Sequence, residues 1–137
     1  MRSAIVRRCS SLALALALVA ASAAADWTRV GGDGRIHEGY ADRDRIRPRG
    51  ANVTMPGLYD FVRADLNPEG LPYQSTVVLR EYDCAGRRVR LLSYIDFAGR
   101  MGTGAVVSRV EREGRWEPVV EGAFDEAFLK AACGGGG

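Results

Sequence analysis

The sequence predicts an α+β fold in which one antiparallel β-sheet is covered on a single apolar face by a C-terminal helix. Strand patterns dominate from residue 27 to residue 111, most clearly over Val89–Phe97, where apolar and polar side chains alternate. Such alternation is typical of an antiparallel sheet with one covered face, because parallel sheets buried on both sides give continuous apolar runs. Helical periodicity follows only at residues 123–132. These two patterns together predict the fold class.

The expected strands are separated by turn-forming residues. Residues 31–34 are glycine-rich and separate the first two strands, and Ala85-Gly86 is the best hairpin connection in the chain. Pro56-Gly57 is expected to bend or bulge the third strand, because proline lacks the N–H that a sheet ladder needs. Residues 65–72 carry two prolines and a glycine and are expected to form an exposed loop. The expected strands are 27–30, 35–40, 53–63, 73–84, 89–97 and 105–111, followed by an extended arm at 116–120.

The predicted helix has one apolar stripe. Its apolar residues recur at positions i, i+3, i+4 and i+7, so the helix can cover the apolar face of the sheet. Cys133 lies off this stripe on an ideal helix, so a disulfide from it is expected to require the last turn to unwind or bend. The stripe consists of Phe124, Ala127, Phe128 and Ala131.

Residues 1–25 have the three parts of a cleavable signal peptide: basic residues, an apolar run over Leu12–Val19, and small residues up to Ala25. The run is shorter than the roughly 20 apolar residues that span a bilayer, so no transmembrane segment is expected. No cysteine directly follows the run, so there is no lipobox. The mature chain, residues 26–137, is expected to be one domain that is periplasmic or secreted, or that reaches the cell surface.

Removal of the signal peptide changes the charge and the cysteine count. Without its three arginines, the 19 basic residues fall to 16, against 17 acidic residues. A near-neutral domain gives no indication of nucleic-acid binding, which calls for a clustered basic surface. Cys9 also leaves, so Cys84 and Cys133 remain as an even pair in an oxidising compartment. They predict a disulfide, with two free thiols as the alternative.

No pattern indicates a catalytic or metal site, so no enzyme activity, cofactor or metal is expected. His37 is the only histidine, so the sequence has too few ligands for a typical metal centre. We expect His37 on the surface of a strand. None of the serines lies in a nucleophile-elbow motif. Asp83 and Asp96 lie among arginines in the sequence, so both are expected to form solvated charge pairs.

Arginine provides almost all of the positive charge, with 18 arginines to one lysine. Three arginines follow the predicted hairpin turn, where their fork-shaped donors would suit an acidic partner; a solvated face is the competing interpretation. A second run of alternating arginines covers residues 43–49. The glycine-rich turn at residues 101–104 is expected to lie near the hairpin. The predicted partner-binding residues are Arg87, Arg88, Arg90, Met101 and Thr103.

An ordered set of motifs from Trp27 to Cys133 resembles the surface-adhesin protein E family. The most specific element is an Asp-Cys pair before an arginine-rich turn, together with a second cysteine at the end of a C-terminal helix. The motifs are WTRVG from Trp27, EYDCAGRRVRLLSY from Glu81, MGTG from Met101, WEPV from Trp116, and FLKAAC ending at Cys133.

The resemblance implies an antiparallel sheet of about six strands, with the helix tethered to one face by a Cys84–Cys133 bond. It also implies a non-enzymatic bacterial envelope protein, since the named member of the family is a lipid-anchored adhesin that binds host extracellular-matrix proteins. We therefore expect an exported, non-catalytic binding module whose partners are extracellular-matrix or other proteins. The alternative is a periplasmic structural or envelope-homeostasis protein without a host ligand.

Overall fold

The computed structural model describes residues 24–134, so the predicted signal peptide lies outside the described residues except for its last two positions. Short 3-10 turns occupy residues 43–45 and 100–102. The described chain contains no helix that is long and apolar enough to cross a bilayer. Its strands and helix are β1 (Thr28–Gly32), β2 (His37–Ala41), β3 (Arg47–Arg49), β4 (Asn52–Leu66), β5 (Pro72–Asp83), β6 (Arg88–Phe97), β7 (Val106–Glu111), β8 (Glu117–Pro118) and α1 (Phe124–Ala132).

The strands form one antiparallel sheet in the order β1-β2-β4-β5-β6-β7. The short strands lie off this path: β3 pairs with the start of β4, and β8 pairs with the start of β6. The connection between β5 and β6 is the predicted hairpin at Ala85-Gly86. The predicted α+β fold, with an antiparallel sheet and one C-terminal helix, is confirmed.

The helix packs on glycines of three neighbouring strands. A Cβ atom at Gly39 would lie 2.5 Å from the Cζ of Phe124, and one at Gly57 would lie 3.0 Å from the Cε1 of Phe128. Gly31 lies beside Gly39 across the β1–β2 ladder and also contacts Phe124. Because these positions carry no side chain, the aromatic rings of the helix rest directly on the backbone of the sheet.

The main core lies between this helix and the sheet. Phe128 and Leu129 of α1 are buried with Met55, Tyr82 and Val89 of three strands. Burying a side chain of this size stabilises the fold by roughly 1.5–3 kcal/mol relative to leaving it exposed. The predicted stripe therefore forms only part of the packing surface: Phe128 is buried and Phe124 is partly buried, but Leu129 and Ala132, which the prediction left out, are buried as well.

The opposite face of the sheet is covered as well, which corrects the prediction of a single apolar face. Leu58 is 0 % exposed on that side. The turn at residues 100–102 folds back over it, so that an added Cβ at Gly102 would lie 3.4 Å from Leu58 and 3.3 Å from Val77. A connection can cover an apolar patch without any helical or strand periodicity, so the alternation pattern gave no sign of it.

A β-bulge in β6 interrupts the alternation predicted for that strand. Leu91 and Ser93 pair with successive residues of β5, which leaves Leu92 as the extra residue. Leu91 therefore faces the helix side, whereas Ser93 faces the other side. Tyr94 and Asp96, which the alternation placed on the face away from the helix, lie on the helix side.

Pro56 introduces no bulge into the pairing of β4 with β5, where the sequence predicted a bulge or a bend. The β4–β5 register is continuous from Val53 to Asp60. Pro56 lies on the other side of β4 in the gap between the partners β2 and β3, where its carbonyl accepts the Asp42 amide at 3.1 Å. The missing N–H therefore removes no ladder bond. The irregular part of β4 is residues 61–64.

The Cys84–Cys133 disulfide is present and joins the β5–β6 turn to the end of the helix. The two Cα atoms are 5.8 Å apart. The sequence predicted that the last turn would unwind or bend to reach Cys84, but the helix does not unwind. The Cys133 amide still donates to the Leu129 carbonyl at 2.9 Å. Cys133 is the cap of α1, so its side chain can turn out of the helical stripe at the point where the helix ends.

Candidate interaction surfaces

The arginine turn predicted as a partner surface is built by a four-residue connection, residues 84–87, between β5 and β6. Arg87 has a φ of 50°, an uncommon value for a residue other than glycine. Its carbonyl accepts the Val119 amide at 2.9 Å, and its guanidinium donates to Glu126 of the helix at 3.3 Å. Arg87 therefore ties the turn to both the C-terminal arm and the helix.

The other two arginines of the turn are also paired within the chain. Arg88 donates to Asp83 at 2.7 Å and 3.1 Å, and Arg90 donates to Glu81 at 2.8 Å. Both guanidinium groups lie over the ring of Trp116, 5.1 Å and 4.6 Å from its centroid. Because each cation already has a carboxylate and an aromatic partner, the turn presents far less free positive charge than the sequence suggests.

Glu81 is the buried centre of this cluster, with 3 % of its side chain exposed. Burial raises the pKa of its carboxyl, but hydrogen bonds from Asn52 and Arg90 and the charge of Arg49 outweigh that effect and leave the pKa below its usual value. Glu113 joins Arg49 and Arg90 from the outside. The network links four strands, β3 to β6, and the β7–β8 connection.

The Met101 turn lies at the other end of β6, so the prediction that it is near the arginine turn is wrong. A strand of ten residues separates the two, which corresponds to roughly 30 Å. The Met101 amide donates to Asp60 at 2.7 Å, and the Thr103 hydroxyl donates to the Arg100 carbonyl at 2.6 Å. These five predicted residues therefore form two separate surfaces, not one.

His37 is half-buried rather than a surface residue. Its ring meets Phe124 edge-on at a centroid distance of 4.7 Å and lies 5.6 Å from Tyr59. Within residues 24–134, no group of three or more histidine, cysteine, aspartate or glutamate side chains could hold a metal ion.

A groove of about 320 Å³ lies on the helix side of the sheet, beyond the part that the helix covers. Its floor is formed by β5 and β6, where Thr76 lies opposite Asp96 and Val78 lies opposite Tyr94. Tyr59 and Arg80 separate it from the helix, and the β4–β5 connection forms the other wall. The lining residues are Tyr59, Phe61, Leu66, Asn67, Pro68, Tyr73, Thr76, Val78, Arg80, Leu91, Tyr94 and Asp96.

Asp96 in this groove is buried, which corrects the prediction of a solvated charge pair. Only 6 % of the residue is exposed. Its carboxylate accepts the Thr76 hydroxyl at 2.7 Å and the Ser108 hydroxyl at 2.5 Å, and it forms no ion pair with any residue in the described part of the chain. Asp83, which the sequence could not distinguish from Asp96, does form the predicted pair with Arg88.

The chain also matches a known protein family. The model of the surface-adhesin protein E family matches residues 27–134, nearly all of the described chain. The chain belongs to the surface-adhesin protein E family. Membership identifies it as a relative of surface adhesins, as the sequence motifs had indicated. No curated protein sequence matches the chain.

Solved structures of protein E from Haemophilus influenzae share the fold of this adhesin-family chain. One is 11 % identical, covers 83 % of this chain and 88 % of its own chain, and superposes with a TM-score of 0.63. The crystal structure of protein E from non-typeable Haemophilus influenzae is 12 % identical, with coverages of 83 % and 80 % and a TM-score of 0.59. At these identities the similarity establishes the fold alone.

Sequence reasoning did not identify the groove of this family member. Tyr94 and Asp96 are two residues apart and so share a face of β6, but the bulge at Leu92 moves that face to the helix side. Burial raises the pKa of the Tyr73 hydroxyl, and the nearby carboxylates of Asp65 and Asp96 raise it further. Tyr73 and Asp96 both line the groove, although 23 positions separate them in sequence.

Proposed function

We propose that this protein is an exported, non-catalytic binding module that attaches to proteins outside the cell, with extracellular-matrix proteins as the first partners to test. The observation that supports this most strongly is the family match, which spans residues 27–134 rather than an isolated motif. The disulfide and the signal-like residues 1–25 both suit a domain that folds after export.

The arginine turn remains a proposed contact surface within this function. Arg87 and Arg88 each expose about half of their side chains, 51 % and 49 %, whereas Arg90 exposes 19 %. Their internal pairs hold the guanidinium groups in fixed positions, which lowers the entropy lost when a partner binds. Contact at this turn would therefore depend on shape as well as on charge.

Direct binding tests the proposed function. The oxidised mature chain, residues 26–137, is applied to immobilised extracellular-matrix proteins, and its association is followed by biolayer interferometry. We expect saturable binding, which should weaken in the Cys84→Ser, Cys133→Ser variant if the helix supports the binding surface. Absence of binding to every matrix protein in the set would contradict the proposal.

Location is tested separately by labelling intact cells with a membrane-impermeant reagent. A surface adhesin should react with this reagent while the outer membrane is intact. If the protein is protected until that membrane is opened, the alternative of a periplasmic structural protein is supported instead. A matched periplasmic protein and a matched surface protein provide the two controls.

A further inference from the structure

The groove on the helix side contains a carboxylate without a cationic partner. Asp96 is 6 % exposed, and its two partners, Thr76 and Ser108, are neutral hydroxyls. Elsewhere in the described chain, the buried carboxylates of Asp60 and Glu81 each have an arginine within 2.8 Å. A buried charge that lacks a counter-ion is costly, so a site of this kind gains from a positive group supplied by a ligand.

Aromatic rings line the same groove as this carboxylate. Tyr94 is two residues before Asp96 on the same face of β6, and Phe61 and Tyr73 meet edge-on at 5.5 Å on the neighbouring wall. The faces of such rings attract ammonium and guanidinium groups that lie within about 6 Å of the ring centroid. The groove therefore combines a negative floor with walls that favour cations.

The one cation that lines the groove is already neutralised. Arg80 donates to Asp125 of the helix at 2.9 Å, and its guanidinium lies 5.2 Å from the centroid of Tyr59. A further carboxylate, Asp65, does not line the groove but accepts the hydroxyl of Tyr73, which does, at 3.4 Å. The charges around the groove thus leave an excess of negative charge for a ligand to meet.

From these observations we propose that the groove binds a lysine or arginine side chain of an extended partner peptide. Its volume of about 320 Å³ is at the low end of the range of roughly 300–1,000 Å³ that ligand sites occupy, which suits a side chain better than a whole metabolite. The choice of a peptide rests on the proposed function, because a binding module of that kind meets other proteins.

A pair of isosteric peptides tests the proposal directly. A capped five-residue peptide with a central arginine between alanines and glycines is titrated into the oxidised protein, beside the same peptide with citrulline, which has nearly the same shape but no charge. We expect the arginine peptide to bind at least about tenfold more tightly and to shift the NMR signals of Tyr73 and Tyr94. Equal affinity for the two peptides, or shifts elsewhere only, would overturn the proposal.

Two variants locate the binding chemistry. Asp96→Asn keeps one acceptor oxygen for the Thr76 or Ser108 hydroxyl and places an amide donor against the other. It removes the charge, so it should abolish the preference for arginine over citrulline. Glu121→Gln is the matched control, because it removes the same charge from an exposed residue outside the groove. If Asp96→Asn fails to fold, Tyr94→Leu serves instead, because it retains an apolar wall but removes the aromatic ring. It should reduce the preference for the arginine peptide over the citrulline peptide. If a folded Asp96→Asn or Tyr94→Leu variant keeps this preference unchanged, the proposed site is refuted.

Competition distinguishes failure of this site from failure of the proposed function. If the arginine peptide binds the groove but the protein binds no matrix partner, the groove assignment holds and the adhesin function is wrong. If matrix binding is unaffected both by excess arginine peptide and by Asp96→Asn, the function holds and the groove is not its contact site.

Discussion

At the scale of single residues, Asp83 and Asp96 show what local sequence can and cannot indicate. Both lie on strands near arginines in the sequence, and both were expected to form exposed pairs. Asp83 faces Arg88 across the hairpin, a contact that the turn itself determines. Asp96 faces Thr76 and Ser108 because of ladder registers with two other strands, and no local pattern contains that information.

The lowered pKa values of Glu81 and Asp83 predict how the stability of the fold depends on pH. The folded-state pKa values of Glu81 and Asp83 lie below the usual ones: for Glu81 hydrogen bonds outweigh burial, and for Asp83 the Gly86 amide and Arg88 hold the charge. Stabilisation from a lowered pKa is complete above the unfolded-state value, about 4 for these groups, and is lost as the pH falls through the folded-state value. We expect the melting temperature to fall steeply below about pH 4.

A substitution checks this assignment. Glu81→Gln should lower the melting temperature at pH 7, because it removes the buried negative charge that faces Arg90. It should also flatten the decline below about pH 4 by removing one of the responsible carboxyls. Glu111→Gln, at an exposed position of β7, is the control and should leave the profile unchanged. An identical acid profile in Glu81→Gln and the wild type would show that other groups control acid unfolding.

Gly39 carries the second residue-scale prediction. Gly39→Ala would place a Cβ atom 2.5 Å from the Cζ of Phe124, so we expect it to destabilise the fold by about 1–3 kcal/mol in denaturant unfolding. Gly114→Ala meets only ordinary contacts of 3.4 Å or more and is the matched control. Combining Gly39→Ala with Phe124→Leu should recover part of the loss; if it does not, the clash with Phe124 is not the cause of the destabilisation.

At the scale of elements, periodicity predicted the helix and the strands well but missed the bulge and the second covered face. The helical pattern extends over residues 123–132, and α1 contains nine of these ten residues. In β6, one inserted residue, Leu92, reverses the face of everything after it, and alternation continues on both sides of the insertion. A pattern of period two cannot reveal a shift of one residue unless the polarity also changes.

The disulfide is expected to stabilise the helix more than the sheet. Closing a loop with a sequence separation of 49 residues is worth roughly 4 kcal/mol on the chain-entropy model. The Cys84→Ser, Cys133→Ser variant should therefore unfold at a lower denaturant concentration, and hydrogen exchange should rise first in the amides of α1. Wild-type protein under reducing conditions should behave in the same way. Uniformly faster exchange across the sheet and helix would contradict this order.

At the scale of the whole molecule, the sequence predicted the fold class, the cysteine pair and the positions of the main strands along the chain, because each depends on composition or on local periodicity. The candidate surfaces were predicted poorly. Guanidinium groups that appear free in the sequence are paired across strands, as Arg90 is with Glu81, and the groove is assembled from β4, β5 and β6. Such arrangements arise from the register between strands, which one sequence specifies only through the complete fold.

The position of α1 after all of the strands has a consequence for how the protein is made. The glycine surface formed by Gly31, Gly39 and Gly57 can assemble as soon as β1 to β5 are available, but its cover, residues 124–132, is synthesised after them. During that interval the bare backbone of this surface and the thiol of Cys84 are exposed to chaperones and oxidants. Completion of α1 and pairing of Cys133 with Cys84 are thus the steps that end this exposure.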